Sequence, residues 1–143
     1  MNIIKLMIPK IKVAYCNEGD TMRQALEKMR SHGYTMVPVI ASNGKCVGTI
    51  SEGDFLWNII DSGRSDMKSL ENCGIKDIIN ETRNPAVRID VDESVLYRRI
   101  AECNFVPVTD DRGCFVGIVT RRAVLNNFRE EFSGVLVLNE KIV

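Results

Sequence analysis

The chain has 143 residues, of which 45% are hydrophobic and 27% are charged, and this is typical of one soluble globular domain. Its 19 basic and 19 acidic residues cancel, which argues against a broad nucleic-acid surface but allows one small anionic ligand held by a local pair of arginines. Five cysteines without a Cys-x-x-Cys motif and a single histidine offer no metal-ligand spacing. We therefore predict reduced thiols and no metal site.

The N-terminal segment MNIIKLMIPKIK does not have the pattern of a secretory signal. It carries Lys5 inside a short apolar run and has no small-residue cleavage site. No run of 18 apolar residues occurs in the sequence, so we predict no membrane segment. We expect a cytoplasmic protein.

The first half of the chain predicts the order strand, helix, strand, strand, helix. The short strand IKVAYC precedes a helix, GDTMRQALEKMRSHG, that begins at an Asp20/Thr21 cap and ends at Gly33. The strands MVPVI and CVGTI follow, joined by ASNGK, whose Asn-Gly pair is typical of a hairpin. The helix EGDFLWNIIDSG comes last, with apolar residues spaced for one face.

The second half predicts the same order after a linker, SGRSDMKSLENCGIKDIINETRN, that contains one short helix, IKDIIN. The strand PAVRI precedes a helix from an Asp92 cap, DESVLYRRIAECN, and the hairpin FVPVT and CFVGIVT precedes the helix RRAVLNNFREEF. The tail SGVLVLNEKIV contains a β-prone run, VLVL. An extra strand at a sheet edge is one alternative for this tail, and the sequence does not decide it.

The two hairpins repeat each other at a constant spacing. Pro38 and Pro107 are 69 residues apart (107 − 38 = 69), and the same offset relates Gly44 to Gly113, Gly48 to Gly117 and Ser51 to Thr120. A constant offset at four positions indicates two copies of one unit. Because half a chain makes only a small core, we expect an α/β (α+β) fold in which two βαββα repeats pack sheet to sheet by pseudo-twofold symmetry. The predicted boundaries are 7–63 for the first repeat, 64–79 for the linker, 80–132 for the second repeat and 133–143 for the tail.

The stretches GYTMVPVI…GKCVGTISEGD and CNFVPVTDDRGCFVGIVTRRAVL resemble the CBS domain, present here as a tandem pair, or Bateman module. The resemblance covers nearly the whole chain, from about Met7 to Phe132. It implies an adenine-containing nucleotide in the cleft between the two halves. It also implies a homodimer, in which four repeats form a flat disc.

By the same resemblance each cleft is composite. The first strand and hairpin of one repeat hold the base, and the Ser/Thr-x-x-Asp position of the other repeat holds the sugar and phosphate. Transferred position by position, cleft A comprises Lys12, Val13, Ala14, Tyr34, Thr35, Met36, Pro38, Thr120, Arg121 and Arg122. Cleft B comprises Ala86, Val87, Arg88, Asn104, Phe105, Val106, Pro107, Ser51 and Asp54.

The two clefts differ at the last motif position. The carboxylate of Asp54 can accept hydrogen bonds from both hydroxyls of a free ribose diol, whereas Ala123 cannot. Cleft A has Arg121 and Arg122 instead, at a helix start, where forked guanidinium groups and backbone N–H groups favour a phosphate. A 3′,5′-linked cyclic dinucleotide has phosphates and an esterified 3′ oxygen, so it fits this cleft.

The combination KVAYC, GYTMVPV and GIVTRRAVL also resembles small stand-alone two-CBS proteins of Gram-positive bacteria that sense cyclic di-AMP. We therefore expect a regulatory protein that binds an adenine nucleotide, with cyclic di-AMP favoured, and that transmits occupancy to an unidentified protein partner. No cofactor is expected. Two alternatives remain: an AMP, ADP or ATP energy sensor that uses Ser51 and Asp54, and a ligand-free dimeric docking scaffold.

An enzyme is not supported by the sequence. The segment SNGKC lacks the remainder of a phosphate-binding loop, and a single histidine offers no plausible nucleophile–base pair.

Several of these residues also have a purely structural interpretation. Arg121 and Arg122 are compatible with a solvated helix start, and Asp54 with a helix residue stabilised by the dipole. Lys12 is compatible with protection of a sheet edge. Tyr34 either flanks the base or belongs to the core.

Overall fold

The computed structural model describes residues 2–64 and 66–142, with side chains described as far as residue 133. The α-helices are α1 (Ile3–Leu6), α2 (Met22–His32), α3 (Glu52–Ser62), α4 (Met67–Glu71), α5 (Glu93–Glu102) and α6 (Arg121–Ile142). The strands are β1 (Ile8–Pro9), β2 (Cys16–Asn17), β3 (Met36–Ile40), β4 (Cys46–Ser51), β5 (Val87–Arg88), β6 (Phe105–Thr109) and β7 (Phe115–Thr120). Two 3-10 turns span Lys10–Lys12 and Lys76–Ile78. The predicted α+β class and the two repeats are confirmed.

Each repeat forms its own sheet around an antiparallel hairpin. One sheet has the order β2-β3-β4, and the other has the order β1-β7-β6-β5. The hairpin strands β3 and β4 pair antiparallel, as do β6 and β7, while β2 and β5 add to them in parallel. The helices cover these sheets and bury a separate apolar core in each repeat.

The first residues of each repeat pair with the sheet of the other repeat. In β1, Ile8 lies opposite Ile118 of β7, in the second repeat. Asn80, at the start of the second repeat, forms an antiparallel bridge with Thr49 of β4, in the first repeat. The repeats are therefore interlocked, a detail that the prediction of two halves packed sheet to sheet did not include.

The two hairpin turns contact each other across the pseudo-twofold axis. The backbone N–H of Cys46 donates to the carbonyl of Gly113 at 3.3 Å, and that of Phe115 donates to the carbonyl of Gly44 at 2.9 Å. These bonds, together with the crossing segments, fix how the two sheets face each other. The clefts between them are therefore set by backbone hydrogen bonds.

The predicted helix caps of the first repeat are present. The Thr21 side chain accepts from the Gln24 N–H, and the Gln24 side chain accepts from the Thr21 N–H, which makes a reciprocal capping box at α2. Gly33 ends α2 in the left-handed conformation at φ 70°, where glycine has no steric penalty. In the second repeat Asp92 is the N-cap of α5 but makes no side-chain capping bond.

Some local predictions were wrong. The strand predicted at IKVAYC is a 3-10 turn followed by the short β2, and PAVRI contributes only β5. The helix predicted at IKDIIN is a 3-10 turn, and α4, which the prediction missed, begins where Asp66 caps the Ser69 N–H at 2.7 Å. In each case local hydrogen bonding decides the conformation of a stretch too short for a reliable pattern.

The backbone of residues 133–142 continues α6, so the strand alternative for this tail is not found. Extending a helix already formed adds one hydrogen bond per residue, whereas a strand needs a partner edge. None of the described helices is both long and apolar enough to cross a bilayer.

The five cysteines are free thiols, and Cys16 is fully buried in the first core. Burial raises the pKa of the Cys16 thiol to about 11. We expect iodoacetamide at pH 8 to leave Cys16 unmodified in the folded protein, because only an accessible thiolate reacts. Peptide mass spectrometry would measure this, with the partly exposed Cys114 as the internal control. Equal labelling of the two residues would show that the first core opens readily.

Candidate functional site

A groove lies between the two repeats on the cleft A side. Its inner part is a cavity of about 200 Å³ with mainly apolar walls. The first repeat and its leading segment contribute one wall, and β6 and β7 contribute the other. The lining residues are Ile8, Lys12, Val13, Ala14, Tyr34, Met36, Pro38, Asn104, Phe105, Ile118 and Thr120.

Two further cavities adjoin the first. The larger, of about 480 Å³, lies between Tyr34–Met36 and the related loop at Cys103–Phe105, and Arg83, Asn84 and Arg121 also line it. The other is formed by Asn104, Thr120, Arg121, Arg122, Leu125 and Asn126 at the start of α6. Asn104 borders all three cavities, so they form one continuous groove.

Every residue predicted for cleft A borders this groove. Thr35 and Arg121 line the larger cavity, Arg122 lines the one at α6, and the others line the apolar cavity. The sequence did not indicate Ile8 or Ile118, because they reach the groove through the crossing of β1 onto β7. Asn104 and Phe105, predicted for cleft B, line cleft A as well.

Two aromatic rings stand at the apolar cavity. Tyr34 is half-exposed, and its ring stacks on His32 with an interplanar angle of 8° and centroids 5.9 Å apart. Its backbone N–H donates to the Met29 carbonyl at 3.1 Å, directly after the Gly33 cap. Phe105 is partly buried at the start of β6. An apolar cavity bounded by aromatic rings suits a planar heterocycle.

The two adjacent arginines of cleft A have different environments. The Nε of Arg121 donates to the Ile100 carbonyl at 2.9 Å, and its Nη2 donates to the Ala101 carbonyl at 3.3 Å. Arg121 therefore satisfies carbonyl groups at the end of α5, a structural role. Arg122 is exposed at the groove. The sequence-based prediction assigned Arg121 and Arg122 the same role in phosphate binding. In the structure, of these two, only Arg122 has a guanidinium that is exposed at the groove.

The N-terminus of α6 is capped without a carboxylate side chain. The Oγ1 of Thr120 accepts a hydrogen bond from the Ala123 N–H at 3.1 Å, which is a normal N-cap bond. In the first repeat the same positions hold Ser51 and Asp54, which form a reciprocal capping box at α3.

Cleft B is arranged differently, because Arg83, near the start of the second repeat, reaches the Ser51/Asp54 position. Its Nη1 donates to Asp54 Oδ1 at 3.2 Å and to Ser51 Oγ at 3.3 Å. Its Nη2 donates to Asp54 Oδ2 at 3.0 Å and to Thr49 Oγ1 at 3.0 Å. The repeated hairpin motif did not identify Arg83, since this residue precedes β5, the first strand of the second repeat.

The next residue fixes the same segment to the second repeat. Asn84 is buried, and its Nδ2 donates to the Phe105 carbonyl at 3.0 Å. The Nη2 of Arg99 donates to Asn84 Oδ1 at 2.6 Å and to the Pro85 carbonyl at 2.5 Å.

The other residues predicted for cleft B lie along β5 and β6. Val87, Val106 and Pro107 are buried, Ala86 is partly buried, and Arg88 is exposed and pairs with Asp90 at 3.3 Å. Within the described part of the chain, no group of three or more His, Cys, Asp and Glu side chains is placed to hold a metal ion.

The sequence profile of the CBS domain matches residues 4–61 and 75–130. The chain therefore belongs to the CBS domain family and carries two copies of the domain.

Among curated relatives, the chain is 24% identical to cyclic di-AMP receptor B of Bacillus subtilis over 133 residues, which is 92% of this chain and 88% of that protein. It is 28% identical over 112 residues to a homoserine O-acetyltransferase of Methanohalophilus mahii, but it spans only 21% of that protein's length. The likeness to that enzyme is thus confined to about one fifth of it.

Among solved structures, CbpB of Listeria monocytogenes in complex with c-di-AMP superposes with a TM-score of 0.82 at 26% identity, over 93% of this chain and 98% of that chain. A second CbpB complex with c-di-AMP gives a TM-score of 0.86 at 23% identity, covering 95% and 89%. CBSX2 in complex with AMP gives 0.72 at 22% identity, covering 90% and 96%. The second CbpB complex and the CBSX2 complex, at these identities, show only that this chain has the same fold.

Proposed function

We propose that this protein is a regulatory CBS pair that senses an adenine nucleotide, with cyclic di-AMP as the favoured ligand, in cleft A. The observation that carries the proposal is the open groove itself. It combines an apolar slot, an exposed arginine at the start of α6 and an alanine where the first repeat has Asp54. Relatives that are named for cyclic di-AMP and match nearly full length support this choice.

The dimensions of the groove support a ligand larger than one nucleoside. The apolar cavity of about 200 Å³ suits a base, and the adjoining cavity of about 480 Å³ provides space for the rest of a dinucleotide. Ligand sites commonly measure about 300–1,000 Å³, so the two cavities together lie in the range of a molecule of this size.

The charge of the groove supports a phosphodiester over a free ribose. Arg122 supplies a positive charge, and the first turn of α6 supplies backbone N–H groups that favour an anion. At the diol-reading position Ala123 brings no acceptor. The energy-sensor alternative depends on Asp54, whose carboxylate is bonded to Arg83.

We also propose how occupancy is used. Exposed apolar side chains lie on α3 and α6, the helices that begin at the two motif positions: Leu56, Trp57, Ile60, Leu125, Phe128 and Phe132. We infer that these helices support a homodimer and that occupancy of cleft A alters a contact with a protein partner. In this proposal the protein has no catalytic activity of its own.

A thermal-shift panel tests the ligand. We expect cyclic di-AMP to raise the melting temperature more than AMP, ATP or cyclic di-GMP, since a ligand at 100 times its Kd stabilises by about 2.7 kcal/mol. Arg122→Ala should weaken cyclic di-AMP binding by roughly 10- to 100-fold, the effect of one charged hydrogen bond. Isothermal titration measures this.

The matched control is Arg112→Ala, an exposed arginine in the β6–β7 turn, which makes the same change of charge away from the groove. If both variants weaken cyclic di-AMP binding equally, the loss reflects only the change in net charge of the protein. That result would contradict a contact between Arg122 and the ligand. A shift with AMP or ATP alone would favour the energy sensor. No shift with any nucleotide would favour the docking scaffold.

A further inference from the structure

We propose that Arg83 is a built-in occupant of cleft B. Its guanidinium takes the place of a ribose diol on Asp54, so the wild-type chain binds one nucleotide, in cleft A. Cleft B would accept a second nucleotide, one with a free 2′,3′-diol, only when Arg83 is removed. Arg83 also lines the larger cavity of the groove, so the inference is tested by the gain of AMP binding and does not depend on which nucleotide occupies cleft A.

The hydrogen bonds match what a diol would make. A vicinal diol offers two O–H donors to the two oxygens of a carboxylate, and the two terminal nitrogens of Arg83 do the same at 3.2 and 3.0 Å. The same nitrogens also bond the hydroxyls of Ser51 and Thr49. A sugar in cleft B would therefore have to displace charged hydrogen bonds before it reached Asp54.

The pair is shielded from solvent. The Arg83 side chain is 28% exposed and that of Asp54 is 19% exposed, so salt and water weaken their attraction less than at an open surface. Asp54 Oδ2 also accepts the Ser51 N–H at 2.8 Å. Both carboxylate oxygens are thus already used within the protein.

The chain on both sides of Arg83 holds this residue in position. The Arg83 N–H donates to Asn80 Oδ1 at 2.8 Å, and Asn80 is itself bridged to Thr49 by two backbone bonds of 2.9 and 3.0 Å. On the other side the buried Asn84 is bonded to the Phe105 carbonyl. Because both neighbours are anchored, little conformational freedom remains to be lost when Arg83 bonds Asp54.

The equivalent position of cleft A has no carboxylate, because Ala123 stands where the first repeat has Asp54. Ile8 pairs with Ile118 as Asn80 pairs with Thr49, an offset of 72 residues (80 − 8 = 72). Cys16 pairs with Val39 as Val87 pairs with Val108, an offset of 71 residues (87 − 16 = 71). Arg83 therefore corresponds to Ile11 or Lys12, and neither has a carboxylate partner at position 123.

One hydrogen-bond donor of Arg83 has no partner among the described residues, and this guides the choice of the variant. Its Nε is buried without a hydrogen-bond partner in the described structure, and an orphan buried donor is unfavourable. Methionine has a similar stem and no buried donor, so Arg83→Met should keep the packing of the segment. Arg83→Gln is the second variant, in case the first does not fold.

Isothermal titration with AMP and with cyclic di-AMP tests the inference. We expect Arg83→Met to bind one more equivalent of AMP per chain than the wild type, at least tenfold more tightly than any AMP binding at cleft B of the wild type. The added equivalent should disappear in Arg83→Met/Asp54→Asn. Arg112→Met is the matched control and should not gain it.

The inference is overturned if the wild-type chain already binds an equivalent of AMP that Asp54→Asn removes. It is also overturned if folded Arg83→Met or Arg83→Gln gains no AMP. If the wild type binds no nucleotide, the proposed function fails, but the gain of one AMP equivalent in the Arg83 variants still tests this inference.

Discussion

Gly117→Ala should lower the melting temperature of this protein by roughly 5–10 °C, as expected for overpacking of about 2 kcal/mol in a domain of this size. A Cβ at Gly117 would collide with the backbone carbonyl oxygen of Ile8 and come within 2.8 Å of Met7 Cγ. The side chain of Met7 can move, but the Ile8 carbonyl belongs to β1. The substitution should therefore push β1 away from β7 and widen the apolar cavity that Ile8 and Ile118 line.

Gly19→Ala is the matched control, because an added Cβ there meets nothing within 4 Å. Differential scanning calorimetry of both variants measures the difference. Equal melting temperatures would mean that β1 is not tightly held against β7, and the interlocked arrangement of the repeats would be contradicted. Gly48 is the counterpart in the first repeat, where an added Cβ would lie 2.5 Å from the Asn80 carbonyl oxygen. We expect the same direction of effect there.

Asp54→Ala should lower the free energy of unfolding by about 2–4 kcal/mol without any nucleotide present. The substitution removes half of the α3 capping box, worth about 1 kcal/mol. It also leaves the partly buried guanidinium of Arg83 without its carboxylate partner. Breaking a buried ion pair in this way destabilises a protein, and the partial exposure of this pair reduces the effect. Urea denaturation monitored by circular dichroism measures the loss.

Glu52→Ala provides the control, since Glu52 is an exposed carboxylate in the first turn of the same helix, where a favourable dipole contact is worth at most about 1 kcal/mol. A double-mutant cycle of Asp54→Ala with Arg83→Met isolates the pair, and we expect a coupling of about 1–3 kcal/mol. If Asp54→Ala costs no more than Glu52→Ala, the contact between Arg83 and Asp54 contributes nothing to stability.

These structural roles change how ligand-binding variants should be interpreted. Loss of binding in Asp54→Ala would not identify a diol site, since the carboxylate already supports α3 and Arg83. Loss of binding in Arg121→Ala is similarly ambiguous, because Arg121 bonds the carbonyls at the end of α5. Arg122 makes a cleaner test, because it is exposed at the groove.

The sequence alone determined the repeat, the fold class and the two hairpins. These features depend on local patterns: the fixed offset of 69 residues, the alternation of apolar residues and the turn glycines. The resemblance to the CBS domain supplied the predicted cleft A residues, and in the structure these residues line the groove between the repeats. The difference between Asp54 and Ala123 was visible in the sequence, because the constant offset of 69 residues aligns these two positions.

Only the tertiary structure decided what surrounds those residues. The exchange of β1 and Asn80 between the repeats, the use of Arg121 as a helix cap and the contact of Arg83 with Asp54 all join residues distant in the chain. Such contacts leave no periodic signal, since an arginine before β5 has the same local sequence whether it faces water or a carboxylate. The resemblance to the CBS domain therefore gave the residues expected in the two clefts. Long-range hydrogen bonds set their difference: one cleft is an open groove, and the other has its carboxylate already bonded to an arginine of the same chain.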